Sequence, residues 1–511
     1  VLNHFPILQV IVPLLAAPIC LLLQQRRLVW IFTTLVSAIA LLISFQLLYQ
    51  VQTQGTLIYE LGGWQAPIGI EYRIDALSAL LLVLVSAMST VVLMGAHKSI
   101  EKEIPEDKQT FFYIAFLLCL AGSLGIIATG DAFNVFVFLE ISSLSTYTLI
   151  ALGKDRRALW ASYQYLIMGT IGATFILIGI GLMYMMTGTL NMHDLSQRLP
   201  EVVQTKTVFT AFAFFIVGVC LKLALFPLHL WLPNAYAYAP SMVTAFLAAT
   251  ATKVAIYVLV RFTFTIFGVE FALSFLPLSE LLMVLGLLGV FGASIVAILQ
   301  TNVKRLFAYS SVAQIGYMII GFSLGSQAGL KAALLHLFNH ALMKGAIFMA
   351  IAGLVYRIGA TNLEHFKGVG QRMPLTAAAI VVGGLSLIGV PLTVGFVSKW
   401  YLIVALLEQG LWPVVALVLM GSLLAVIYVW KLVEIAYFQT PSGELSPNGN
   451  EALSPQDALN PQDAFSQREA PWIILVPTWL LVVANIYFGI DTDFTVNVAT
   501  QAVSSLFGES P

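Results

Sequence analysis

The sequence predicts an all-α polytopic membrane protein of about fourteen transmembrane helices, built from two inverted five-helix repeats that each contain a broken helix. Three observations carry this expectation. Of 511 residues, 59% are hydrophobic and only 10% are charged, whereas a soluble domain carries about 25% charged residues. Apolar runs close to the ~20 residues needed to cross a bilayer follow one another along the whole chain. Two of those runs are interrupted by Pro and Gly at corresponding places, the pattern expected of discontinuous helices in repeated transport units.

The runs fall at 5–23, 28–49 and 74–95, making a three-helix segment over 1–110. Spans at 111–129, 131–151, 162–186, 208–230 and 241–265 form a first repeat over 111–265. Spans at 281–299, 306–325, 329–356, 375–405 and 411–437 form a second over 281–437. A last span, 471–490, opens the segment 471–511. Five is odd, so the two repeats insert in opposite orientations. Between the second repeat and the last span lies 438–470, rich in Pro, Ser, Asn and Gln, with the near-repeat SPQDAL and NPQDAF. Such composition reads as a flexible cytoplasmic linker rather than a domain. The first apolar run is followed, not preceded, by Arg26 and Arg27, so it does not read as a secretory signal.

The distribution of positive charge tests the count. With the N-terminus outside, inside segments hold 14 Lys and Arg, Lys102, Lys154, Arg157 and Lys304 among them, against 5 outside, Arg261 among them. Both termini are then expected outside. The formal net charge of −1 gives no reason to expect nucleic acid. Cys20, Cys119 and Cys220 each stand alone in a separate run, so neither disulfides nor a metal or iron–sulfur site is expected, and no cofactor is called for.

Five lysines remain after that count: Lys222, Lys253, Lys344, Lys399 and Lys431, all within spans. A charge at mid-bilayer costs about 2.5–3.5 kcal/mol on insertion scales. Lys431 lies near a span end with Glu434 three residues on, which a snorkelling i, i+3 pair would explain. The other four ask for more. Glu140 lies midway along its span, among Phe133, Phe136, Val137 and Leu144, and Lys222 is its natural partner. The alternative is a fixed ion pair that only pins two helices. Pro227, without an N–H, should break the Lys222 helix about one turn further on, and Pro233 and Pro240 continue the interruption. Gly389, Pro391 and Gly395 make the second break, beside Lys399. Lys253 sits among Thr244, Thr250 and Thr252, whose small and hydroxylic side chains suit close packing and a wet face.

In HLFNHALMK, His336, His340 and Lys344 fall within an arc of about 80° over about 12 Å of helix. Two histidines at i, i+4 could ligate a metal, but no carboxylate or Cys joins them and Lys344 would repel a cation. Satisfied core histidines are a second reading. A proton relay accounts best for the stripe, because histidine can carry a proton between waters.

The stretches VFVFLEISSLSTY, LKLALFPLHLWLPNAYAYAPSMVTAFLAATATK, HLFNHALMKGAIF and GVPLTVGFVSKW resemble the proton-translocating membrane subunits shared by respiratory complex I and Mrp-type Na+/H+ antiporters. The resemblance covers roughly 70–435, and within the family it is greatest to the D subunit of the antiporter. It implies that Glu140 and Lys222 form the ion pair beside the first broken helix and that Lys253 is the central relay lysine. His336, His340 and Lys344 then lie on the histidine-bearing helix of the second half, and Lys399 is the terminal lysine. Some family members carry Glu at that last site, and Asn234 stands where many complex I relatives have an acid. No long lateral helix is expected after residue 490. The resemblance further implies other hydrophobic antiporter subunits as partners, with membrane lipid, protons and Na+, in a bacterial or archaeal cytoplasmic membrane. The corresponding alternative is a proton-pumping subunit of a complex I or membrane hydrogenase relative.

Overall fold

Apolar runs with no charged side to turn toward water must be buried against one another or against lipid, and helices are the form in which such runs satisfy their own backbone. The computed structural model follows that logic. It describes residues 4–23, 25–275, 277–439 and 469–508; the expected linker at 438–470 lies almost wholly outside the described residues. The helices are α1 (Phe5–Ile19), α2 (Arg26–Gln54), α3 (Ala76–Glu103), α4 (Gln109–Ala128), α5 (Ala132–Ala151), α6 (Arg156–Thr187), α7 (Met192–Val202), α8 (Lys206–Lys222), α9 (Trp231–Tyr238) and α10 (Ser241–Val260). They continue as α11 (Leu278–Leu299), α12 (Val303–Ser323), α13 (Gln327–Ile358), the single turn α14 (Val369–Arg372), α15 (Pro374–Ile388), α16 (Val394–Glu408), α17 (Trp412–Tyr437), α18 (Trp472–Ile490) and α19 (Asp493–Leu506).

Among the described residues, twelve helices are long and apolar enough to cross a membrane. The two remaining expected spans, 208–230 and 375–405, are the ones divided into shorter pieces: α8 with α9, and α15 with α16. Helices α3, α4, α10, α12 and α13 are buried nearly all round, while α1, α2, α6, α11, α17 and α18 leave an apolar face uncovered. The centre is thus α10 packed on α13 and α3, with α12 and α16 against α13. Close approach of α6 and α8 depends on two glycines: a Cβ at Gly218 would stand 2.6 Å from the Gly172 carbonyl oxygen, so only glycine lets these backbones meet.

Both breaks occur where expected in order along the chain, but their details differ. The first falls earlier than one turn past Lys222: α8 ends at Lys222 itself. The chain turns there, with Ala224 at φ +60, and Leu225 N–H bonds back to the Cys220 carbonyl at 3.0 Å, so the helix is already closed before Pro227. At the second, Gly389 (φ +94) and Leu392 (φ +71) turn the chain between α15 and α16. A non-glycine residue with positive φ is unfavourable and persists only where its surroundings hold it.

Three elements had no counterpart in the sequence reading. A two-stranded antiparallel hairpin, β1 (Leu57–Glu60) with β2 (Glu71–Ile74), joins α2 to α3, with Leu57 opposite Ile74. The amphipathic α7 connects α6 to α8. Helix α19 follows the last span and buries Thr495, Val498, Ala499, Ala502 and Val503, a helical stripe laid on α3 and α13.

Candidate functional site: a buried lysine and histidine cluster

The Glu140–Lys222 pair forms between α5 and the last residue of α8. Lys222 Nζ stands 4.0 Å from Glu140 Oε1 and donates at 2.8 Å to Ser143 Oγ, one turn further along α5. Lys222 is buried, but Glu140 keeps about a quarter of its side chain exposed (27%). The exposed face of α5 continues through Phe133, Val137 and Leu144. Positions 133, 137, 140 and 144 share one side of a helix, so the carboxylate lies on an outward apolar stripe.

A tighter cluster forms around α13, with α10, α12 and α16 contributing. Lys253 on α10 is fully buried and donates to the Ala248 carbonyl, with Thr252 Oγ1 at 3.4 Å. Lys344 donates to the Phe307 carbonyl at 2.8 Å and to Ser310 Oγ, and lies 5.4 Å from the Phe307 ring centre. His336 is held at both ends, Nδ1 by Ser398 Oγ at 2.8 Å and Nε2 by Gln314 Oε1 at 2.9 Å. Its ring is nearly parallel to that of His340, centres 6.2 Å apart. His340 is completely buried, and neither ring nitrogen has a hydrogen-bond partner among the described residues. Lys253 is within electrostatic reach of both histidines and of Lys344, as is Lys399 of His336.

Lys399 explains why the second break is where it is. From the second turn of α16 it donates to the carbonyls of Leu387 and Ile388, both at 2.9 Å, and to Ser422 Oγ at 3.0 Å. The last carbonyls of a helix have no partner within it, and here the ammonium supplies one. It also lies 4.7 Å from the Tyr317 ring centre, a favourable site for a cation. The first break solves the same problem differently: the Trp231 indole donates to Leu221 O at 3.0 Å.

All seven residues singled out in the sequence therefore lie at two places. Glu140 and Lys222 make one; Lys253, His336, His340, Lys344 and Lys399 make the other. No ion pair or hydrogen bond among the described residues joins the two. The fifth intramembrane lysine departs from its simple reading: Lys431 does not pair with Glu434 but donates to the carbonyls of Ile298 and Gln300, both at 2.9 Å, at the end of α11. Unpartnered helix-end carbonyls compete well for an ammonium already partly out of water. Asn234 donates to Gln164 Oε1 at 2.7 Å.

Several contributing residues escaped sequence reasoning. Ser310, Gln314 and Tyr317, at i, i+4 and i+7 on α12, hold Lys344, His336 and Lys399 in turn; that polar stripe is visible in SSVAQIGY once its period is sought. Two charges counted as loop or span-end charges are also buried. Arg261, beyond the end of α10, makes a two-pronged ion pair with Asp75 (2.6 and 2.8 Å) and bonds Ser78 at 3.1 Å. Lys304 is 3% exposed in the first turn of α12. Only the fold brings residues 186 positions apart together, so no local signal could have revealed the Asp75–Arg261 pair.

Comparison with known proteins supplies the family. Residues 129–425 match the family described as NADH:quinone oxidoreductase/Mrp antiporter, TM. The chain is 44% identical over 448 residues to the N subunit of the NADH-quinone oxidoreductase of Desulforudis audaxviator, covering 85% of this chain and 87% of that one. It is 28% identical over 506 residues to the D subunit of the Na(+)/H(+) antiporter of Bacillus subtilis, covering 99% and 97%. Among solved structures, a chain of the archaeal membrane-bound sulfane sulfur reductase superposes with TM-score 0.86 at 34% identity, covering 98% of this chain and 97% of that one. A chain of the Mrp complex from Dietzia sp. gives 0.87 at 25% identity, covering 99% and 97%. By sequence and by fold, this chain belongs to the NADH:quinone oxidoreductase/Mrp antiporter membrane family.

Proposed function

We propose that this chain is a proton-translocating subunit of a multisubunit monovalent cation (Na+)/H+ antiporter in a bacterial or archaeal cytoplasmic membrane, a transporter subunit rather than a catalytic enzyme. The observation that carries the reading is the set of buried ammonium groups at Lys253, Lys344 and Lys399, each hydrogen-bonded, among the described residues, only to neutral carbonyls and hydroxyls. A purely structural charge in a membrane would be expected beside an opposite one. Groups held by neutral partners can lose a proton without leaving a carboxylate behind.

In this reading Lys222 keeps its proton while Glu140 is near. When the pair separates, the ammonium loses its stabilising charge and passes the proton to Lys253 or to water. His340, His336 and Lys399 carry it on. The two ring nitrogens of His340, without a hydrogen-bond partner among the described residues, support a hydrated path, since buried polar atoms are satisfied by protein or by ordered water. The 111–265 and 281–437 units would act as oppositely oriented halves of the path, with both termini outside. Partner subunits are supported by Glu140: the part of a mid-span carboxylate that faces outward is costly against lipid, and a covering chain would relieve it.

A second reading is favoured by two comparisons, the 44% identity to a quinone oxidoreductase subunit and the 34% identity to a chain of the sulfane sulfur reductase, a respiratory membrane complex. There the same cluster would move protons in a redox-driven complex related to complex I or a membrane hydrogenase. The test is ΔpH-driven Na+ exchange in everted vesicles, comparing the native assembly with Lys222→Ala and Glu140→Ala and checking assembly on native gels. Exchange that is lost in variants that still assemble supports the antiporter. Exchange absent from the native assembly, with proton pumping driven by NADH or another donor, supports the redox complex. Unchanged exchange in Lys222→Ala would remove the relay.

A further inference from the structure

A second polar feature lies apart from the buried cluster. The end of α3, the loop between α5 and α6, the joint between α9 and α10, the start of α12 and the segment after α13 enclose an open cavity of about 440 Å³. It is within the range of small-molecule sites, roughly 300–1,000 Å³. Its charges are unequal. Lys102, Lys154, Arg157 and Lys304 line it, against Glu103 and Asp155.

The two carboxylates are already engaged. Asp155 caps α6 through Arg157 N–H at 2.9 Å and grips the Arg157 guanidinium at 2.8 Å. That hydrogen bond and the adjacent positive charge hold its carboxyl below the usual carboxylate range. Glu103 accepts from Ser99 Oγ at 2.7 Å and from the N–H and hydroxyl of Ser241 at 2.8 and 2.9 Å. Among the described residues, the hydrogen bonds of the three ammonium groups go only to main-chain carbonyls: Lys102 bonds Tyr356 O, Lys154 bonds Lys102 O at 2.8 Å, and Lys304 bonds Ala239 O at 3.0 Å. Lys102 also lies 5.1 Å from the Tyr356 ring centre, and Glu103 and Asp155 are within electrostatic reach of Lys304 without contacting it. Lys304 is almost wholly buried, and a buried charge without an opposite charge in contact is costly.

We propose that this cavity binds a phosphate-bearing anion, with Lys304 at its floor and Lys102 and Lys154 at its mouth. Three ammonium groups lining one cavity suit a phosphate, which offers several acceptor oxygens at once. The cavity opens on the side that the positive-charge count assigns to the cytoplasm, where anionic lipid is concentrated. The phosphate can therefore come from a phospholipid headgroup or from a free phosphate in solution.

The experiment follows the melting temperature of the full chain in neutral detergent. It is titrated separately with inorganic phosphate, with short-chain phosphatidylglycerol and with the matching phosphate-free diacylglycerol. The expected result is a saturable rise with a phosphate-bearing probe and none with diacylglycerol. Lys304→Gln should weaken apparent affinity about tenfold, as for loss of one charge-assisted hydrogen bond. Because a buried substitution can impair folding, the double variant Lys102→Gln/Lys154→Gln at the exposed mouth provides a second measure, and Lys98→Gln, outside the cavity, should change nothing. A response to phosphatidylglycerol alone identifies the lipid source; a response to inorganic phosphate of equal size identifies the free anion. No rise with either probe, an equal rise with diacylglycerol, or a rise untouched by the mouth variants (an adventitious ion only) overturns the proposal.

Discussion

Lys222 stands 4.0 Å from the carboxylate of Glu140 yet donates its hydrogen bond to Ser143, at 2.8 Å. The pair is therefore electrostatic rather than a locked contact. A serine hydroxyl can hold the lysine as an ammonium or as a neutral amine, so Lys222 has a partner in either state.

Lys222→Arg separates charge from proton transfer. Arginine keeps the positive charge and does not release its proton in proteins. The variant should assemble normally but transport at about a tenth of the native rate or less, a deficit of ~1.4 kcal/mol. Vesicle transport alongside native-gel assembly is the check. Native transport by Lys222→Arg would show that this site only supplies charge.

The two stacked histidines should respond differently. His336→Leu leaves Gln314 and Ser398 without their partner and should cost about 1–3 kcal/mol of stability. His340→Leu removes a ring with no protein partner among the described residues and should shift stability by under about 1 kcal/mol, while transport falls in both. Equal destabilisation by the two substitutions would mean that His340 is held by protein after all. Thermal unfolding in detergent and vesicle transport provide the two readouts.

Gly395→Ala tests the geometry of the second break. An added Cβ would stand 1.7 Å from the Ser386 carbonyl oxygen, which is backbone and cannot rotate away. Displacing it moves Leu387 and Ile388, whose carbonyls hold Lys399. Overpacking alone costs about 1–3 kcal/mol, so a lower melting temperature and loss of transport are both expected. A variant with native melting and native transport would show that α15 and α16 can separate freely.

The Asp75–Arg261 pair predicts strong coupling far from the histidines. Asp75→Asn keeps the cap on Ser78 but removes the charge, leaving Arg261 buried and unpaired. Breaking such a pair from one side costs about 3–5 kcal/mol. Arg261→Met should cost a similar amount, and the double variant much less than the sum, because the second change removes the stranded charge. Additive losses in a thermal double-mutant cycle would place the pair in water rather than in the protein.

The legible part of this protein was set by solvent. Apolar runs of spanning length need no tertiary information to be read, because the bilayer demands a closed backbone and excludes charge. Lysines inside such runs stand out for the same reason. Hence the order of the spans and both interrupted helices could be taken from the chain, and Glu140, Lys222, Lys253, His336, His340, Lys344 and Lys399 could be picked out as candidates. Residues whose importance lies in what they touch could not. Ser143, Gln314 and Ser398 are ordinary polar side chains until Lys222 and His336 approach them. Asp75 and Arg261 pass for end-of-span charges until the fold unites them. Lys304 counts as a loop lysine until α12 carries it beneath Ala239. Burial and pairing are properties of distant segments brought into contact, and in a helical membrane protein that assembly is governed by packing between helices, which local composition does not encode.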